Sequence, residues 1–164
     1  MKIFITGNSG AGKSTLADKI GEYYTLKVCH LDNIVWQDSQ KTSYESRRER
    51  LDIFLQNEDW VIEGMSHSEW VYKAYEKADY IFLLDTSEIV SNARIIKRYI
   101  KKKLHIDKNF REDIKYLKNL FKIKKDFKKN EIPKILEMMG NYSDKFYIIK
   151  SEKQLVKVIE STNI

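Results

Sequence analysis

One cysteine, one proline, three histidines and no apolar run longer than a few residues set the first limits on this 164-residue chain. Cys29 alone cannot form a disulfide within the chain. Its place in the run LKVCHL reads as core packing in a reducing compartment, not as a reactive thiol. Nothing approaches the ~20 apolar residues that a membrane-spanning helix needs. The opening KIFIT is too short for a secretory h-region, so a cytoplasmic location without membrane association is expected and the NYS sequon at 141–143 is idle. Cysteine and histidine spacing for a structural zinc is missing as well.

What is present is globular in composition, 42% hydrophobic and 33% charged, and the length suits one domain over 1–164. Five short apolar runs read as strands: 2–6, 26–31, 60–64, 79–85 and 146–150. Most do not alternate, as expected when helices cover both faces of a parallel sheet. Helical patterns fall between them, over roughly 13–24, 43–57 and 67–78. A closing helix starts at Ser151, a plausible N-cap with Glu152 in the first turn. The alternation predicts an α/β domain with a doubly wound parallel sheet.

Three of the six glycines lie between residues 7 and 12, in ITGNSGAGKST. Gly7, Gly12, Lys13 and Ser14 satisfy G-x-x-x-x-G-K-[ST], with an apolar strand before and an amphipathic helix after. In this P-loop, Gly7, Asn8, Ser9, Gly10, Ala11 and Gly12 offer backbone N–H groups that converge on phosphate oxygens, helped by the helix dipole. Lys13 is placed to reach the β- and γ-phosphates, Ser14 to ligate Mg²⁺, and Thr15 to pack or hydrogen-bond near the α-phosphate. ATP and Mg²⁺ are the expected cofactors.

Three carboxylates fall at strand ends, where a parallel sheet places its ligand crevice: Asp32, Glu63 and Asp85. Mg²⁺ held with a nucleotide needs few protein carboxylates, so Asp32 and Glu63 are the metal candidates and Asp85 equally suits a helix start. The net charge of +6 is uneven: residues 97–134 hold fifteen Lys or Arg against five Asp or Glu. Such a segment suits a nucleic-acid surface, a phosphate-facing lid or a solvated helical face. Phe110, Ile114, Leu117 and Phe121, with Tyr116, Leu120, Ile123 and Phe127 beside them, give it an apolar side wide enough to pack on the body. Pro133 suits the first turn of a following helix and Gly140 its end.

With these positions in hand, the chain resembles the adenylate-kinase-related small kinases, and among them the bacterial DNA topology modulation proteins. The stretches that carry the likeness are ITGNSGAGKSTLADKI, HLDNIVW, DWVIEGMSHS and ADYIFLLDTSEIVSNARIIKR. The resemblance implies the P-loop nucleoside triphosphate hydrolase fold with strand order 2-3-1-4-5, an acceptor-binding helical region over about 32–60 and a basic helical lid within about 100–130. It also implies that Arg94 lies against the nucleotide and that Arg98 meets the transferring phosphoryl group, with Gly64 beside the acceptor. Guanidinium suits that task independently, because it neutralises phosphate charge in bidentate fashion, and Arg94 and Arg98 share one helical face. Arg47 is the first candidate to bind an anionic acceptor, Trp36 to stack on a flat one, and Arg111 to reach phosphate from the lid. EGMSHS lacks the proline and arginine that follow the third strand in adenylate kinases proper, which argues against AMP as acceptor.

The expected function is transfer of the ATP γ-phosphate to a small acceptor such as a nucleoside, nucleotide or similar metabolite. Asp32 orients or deprotonates an alcohol acceptor; a phosphate acceptor needs no base. The alternative is a nucleic-acid-associated ATPase that uses the basic segment. It is weighed lower, because no nucleic-acid-binding module and no aromatic–basic interleaving is present. A GTP-dependent switch is set aside, since the late strand leads into IIKSEKQ rather than Asn-Lys-x-Asp.

Overall fold

A computed structural model describes residues 1–38, 40–65, 68–104 and 114–162. The chain opens with β1 (Lys2–Gly7), α1 (Lys13–Tyr23), β2 (Lys27–His30) and the short α2 (Leu31–Val35). A two-stranded ribbon follows, β3 (Trp36–Gln37) and β4 (Gln40–Lys41), then α3 (Tyr44–Phe54) and β5 (Trp60–Glu63). Ser43 caps α3, its side chain accepting the Ser46 N–H. A 3₁₀ turn at Glu69–Val71 leads into α4 (Tyr72–Lys77), β6 (Tyr80–Leu84) and α5 (Glu88–Leu104). The last part comprises α6 (Ile114–Asp126), a π turn (Phe127–Glu131), α7 (Ile132–Met139), β7 (Phe146–Ile149) and α8 (Glu152–Thr162).

The large sheet has five parallel strands in the order β2-β5-β1-β6-β7. These labels differ from the expected 2-3-1-4-5, because the ribbon strands β3 and β4 were not foreseen and shift the numbering of the strands after them. The chain leaves β1 to one side for β2 and β5, then crosses to the other for β6 and β7. A crevice therefore opens at the carboxyl end of β1.

Each face of the sheet carries its own core, sorted by the two-residue period of the strands. Phe4, Ile62 and Ile81 pack with Leu51 of α3, Tyr75 of α4 and Ile135 and Met139 of α7. Ile3, Ile5, Val61 and Phe82 face Leu16 and Ile20 of α1 and Leu155 and Ile159 of α8. Cys29 is buried on the first face, and burial pushes its thiol up to about 12, in keeping with a packing role.

The basic segment is tied to the body where it is described. Phe127 is buried, and the Lys124 ammonium donates to Ser91 Oγ at 2.5 Å and to the Glu88 carbonyl at 3.4 Å, both on α5. Pro133 sits in the first turn of α7. It withholds an N–H from the ladder, and the helix widens into the π turn just before it. Gly140 ends α7 in a right-handed conformation, the chain tightening into a 3₁₀ turn at Gly140–Tyr142. Among the described residues no helix is long and apolar enough to cross a membrane.

Candidate active site

The phosphate loop is shaped by two close approaches that only glycine permits. At Gly7, with φ of 144°, a Cβ would meet the Leu84 carbonyl oxygen of β6 at 2.7 Å. At Gly12, which caps α1 with φ of 99°, a Cβ would meet Arg94 Nη1 at 2.8 Å. Between them the loop is held from within. The Asn8 carbonyl accepts the Ala11 N–H and Lys13 Nζ, each at 3.2 Å, while Asn8 Oδ1 accepts the Ser9 N–H at 2.7 Å. It is also held from outside. The Ala11 carbonyl accepts from Thr86 Oγ1 at 3.0 Å and Arg94 Nη1 at 2.5 Å, and Asn8 Nδ2 donates to the Lys124 carbonyl at 3.1 Å.

This loop floors a cleft of about 940 Å³. The carboxyl ends of β5 and β6 supply Glu63 and Leu84 to its walls; α5 supplies Arg94 and Arg98, and the turn before α8 supplies Lys150 and Ser151. Asp32 and Gly64 line it as well, as do Ser9, Gly10, Ala11, Ser14 and Thr15. Burial lowers the pKa of the Lys13 ammonium; the charges of Glu63 and Asp32 oppose that shift and Arg98 reinforces it. Lys13 thus lies in the field of two carboxylates and a guanidinium.

Ser14, the second residue of α1, donates its hydroxyl to Glu63 Oε1 at 3.0 Å. Glu63 is buried. The same Oε1 lies 2.9 Å from His30 Nδ1, and His30 Nε2 lies 3.2 Å from Asp18 Oδ1. Among the described residues no three His, Cys, Asp or Glu side chains converge as a closed metal cage. The hydroxyl of Ser14 and the carboxylate of Glu63 stand in hydrogen-bond contact, and Asp32 lines the same cleft, so three oxygen donors are available there. That suits Mg²⁺, which takes few protein ligands and completes its octahedron from phosphates and water.

The structure therefore brings together the loop residues, Asp32, Glu63, Gly64, Arg94 and Arg98. It does not bring Trp36 or Arg47 to the cleft wall. Trp36 lies exposed on β3, and the Arg47 guanidinium is spent on Thr42, bonding its carbonyl and its Oγ1. Arg47 thereby ties α3 to the residue that follows the ribbon. Arg111 lies outside the described residues. Asp18, His30, Thr86 and Lys124 were not singled out from the sequence; their parts emerge from contacts distant in the chain.

No protein-family model matches this chain, and no curated protein matches it by sequence. Solved structures do. Shikimate kinase from Acinetobacter baumannii, in complex with shikimate, superposes with a TM-score of 0.62 at 15% identity, over 99% of this chain and 94% of that one. Shikimate kinase from Bacteroides thetaiotaomicron gives 0.58 at 19% identity, over 98% of both chains. These similarities establish a shared P-loop α/β fold along the whole length. They lend no support to the narrower likeness to DNA topology modulation proteins.

Proposed function

We propose that this protein is an ATP-dependent phosphotransferase whose acceptor is a small hydroxylated molecule. One observation carries the reading: Lys13 sits in the joint field of Glu63, Asp32 and Arg98, within a cleft that runs from the phosphate loop to Asp32 and Gly64. The shared fold with two shikimate kinases supports it. The exit of β2 and β5 gives the acceptor side of the cleft Asp32, Glu63, Gly64 and Met65. A carboxylate at that wall suits an alcohol acceptor, whose proton it can take, and so gives Asp32 a task.

Asp32 accepts the proton of the acceptor hydroxyl as its oxygen forms a bond to the γ-phosphorus. The bond between that phosphorus and the β–γ bridging oxygen breaks, and ADP leaves with the electron pair. Lys13 and Arg98 neutralise charge on the transferring group; Arg94 and Thr86 hold the loop carbonyl of Ala11 so that the loop amides keep their aim. Mg²⁺, when bound, supplies charge neutralisation at the β- and γ-phosphate oxygens, and Ser14 and Glu63 are the residues that would hold it. A cytoplasmic location and a single catalytic domain, with 32–60 on the acceptor side and 100–130 as lid, belong to the same proposal.

The test is ATP turnover by purified protein across nucleosides, nucleoside monophosphates and small polyols, with duplex and single-stranded DNA in parallel wells. A phosphorylated alcohol is expected, abolished by Lys13→Ala and reduced about 100-fold or more by Asp32→Asn. The lysines exposed on α6, among them Lys118, Lys122 and Lys125, keep one rival alive: ADP release that needs DNA and modifies no acceptor would replace this reading with a nucleic-acid-associated ATPase.

A further inference from the structure

Four side chains beneath the phosphate loop form a chain of contacts that the proposed transfer does not by itself require. Ser14 and Asp18 are four apart on α1 and so share a helical face. His30 ends β2 and Glu63 ends β5, and the two are register partners across adjacent strands. From Asp18 Oδ1 to His30 Nε2 is 3.2 Å, from His30 Nδ1 to Glu63 Oε1 is 2.9 Å, and from Glu63 Oε1 to Ser14 Oγ is 3.0 Å. Both contacts to Glu63 fall on one oxygen. Among the described residues nothing hydrogen-bonds the other, Oε2, although Glu63 lines the cleft.

A carboxylate this deeply buried costs free energy unless its orientation and partners are fixed. Its partners here are a serine that belongs to the phosphate loop and a ring that is anchored at its far nitrogen. We infer that His30 is a positioning residue: held by Asp18, it fixes Glu63 through Oε1 so that Glu63 Oε2 and Ser14 Oγ stand ready as the protein's share of a divalent-cation site. The arrangement follows the general rule that groups behind a metal ligand set its direction and its affinity. This inference rests on the reading of the cleft as a nucleotide site.

The experiment uses the full chain, with ADP and with Mn²⁺ as the spectroscopic probe. ADP affinity is first measured in EDTA, then Mn²⁺ affinity of the ADP complex is read from the free-ion signal in electron paramagnetic resonance. For His30→Ala, Mn²⁺ affinity is expected to fall about tenfold or more while metal-free ADP affinity stays within about twofold. His30→Asn, whose amide can still donate toward Glu63, is expected to recover most of the loss. Unchanged Mn²⁺ affinity in a folded His30→Ala protein, an equal loss of metal-free ADP affinity, or no recovery in His30→Asn would each overturn the inference. If circular dichroism shows that His30→Ala does not fold, Asp18→Asn decides: Asp18 is exposed, and the same selective loss of Mn²⁺ affinity is expected in smaller measure. Wild-type protein that binds no ADP at all would sink the kinase reading itself, a result distinct from the others.

Discussion

Replacing Gly64 by alanine sets a methyl group against Leu31, the residue before Asp32. A Cβ at Gly64 would lie 2.6 Å from Leu31 Cβ, 2.7 Å from its Cδ1 and 2.8 Å from its Cγ. Ordinary carbon contacts begin near 3.5 Å, so about 1 Å of relief is needed. A rotamer change at Leu31 frees Cγ and Cδ1 but not Cβ, which moves only with the backbone of α2. Gly64 is itself held, its N–H donating to the Ile5 carbonyl at 3.1 Å. Relief therefore comes from displacement of α2. Overpacking of this kind costs about 1–3 kcal/mol, and each kcal/mol lowers Tm by about 2–4 °C in a chain of this size. The effect on turnover is larger, because a catalytic group misplaced by ~1 Å costs on the order of 100-fold. The assay is urea unfolding of Gly64→Ala, Leu31→Ala and the double variant, with kcat/KM for each. Leu31→Ala alone opens a cavity at about 2–5 kcal/mol, yet it removes two of the three clashing atoms. The double variant should then be more stable than the sum of its parts by about 1 kcal/mol. Strict additivity, or a Gly64→Ala protein of wild-type stability, would refute the packing argument.

Three further outcomes are expected. Lys13→Met should abolish nucleotide binding yet raise the stability of the nucleotide-free protein. Burial holds the folded-state pKa of Lys13 below its ordinary 10.5, so the unfolded chain binds the proton more tightly and Lys13 adds stability only as pH rises from the lowered value toward 10.5; urea midpoints across that window should climb in wild type and flatten in the variant. Arg94→Lys should raise KM for ATP about tenfold, since a lysine cannot serve the Ala11 carbonyl and the cleft with one planar fork. Steady-state kinetics beside Thr86→Val will show whether the two donors act on one carbonyl, through losses that do not add. Lys124→Met should cost about 1.5–3 kcal/mol, as expected for charged hydrogen bonds, and weaken amide protection in α6 when native-state hydrogen exchange is followed.

The inner strands β1, β5 and β6 were legible because helices bury both their faces, which writes them as continuous apolar runs, and the phosphate loop because its glycines and lysine stand at fixed spacing. The ribbon was not. Its strands are two residues each, and all four are exposed, so no period exists to be read. Trp36 and Arg47 drew attention by residue type, but a tryptophan on an exposed ribbon and an arginine bonded to Thr42 follow from local geometry that type alone does not convey. Lys124 did leave a signal: it falls three after Phe121 and three before Phe127, on the apolar stripe of its helix, where a lysine has no solvated place. His30 left none. Its partners lie twelve and thirty-three residues away; the packing of α1 brings Asp18 to it and the register of β2 against β5 brings Glu63.

The loop between β1 and α1 holds its turn through Asn8, Thr86 and Arg94, contacts made wholly within the protein. A guest entering such a cradle has little backbone to order, so the usual entropic toll of association is small. Capture should be fast, and calorimetry should find a heat-capacity change that reflects the nucleotide's own buried surface, without a contribution from folding of the loop. In the proposed phosphotransferase, discrimination then falls to the other end of the cleft, lined by Asp32 of α2 and by Glu63 at the close of β5. Exchange of nucleotide is the easy half of the proposed cycle, and selection of what receives the phosphate is the half that asks more of the fold.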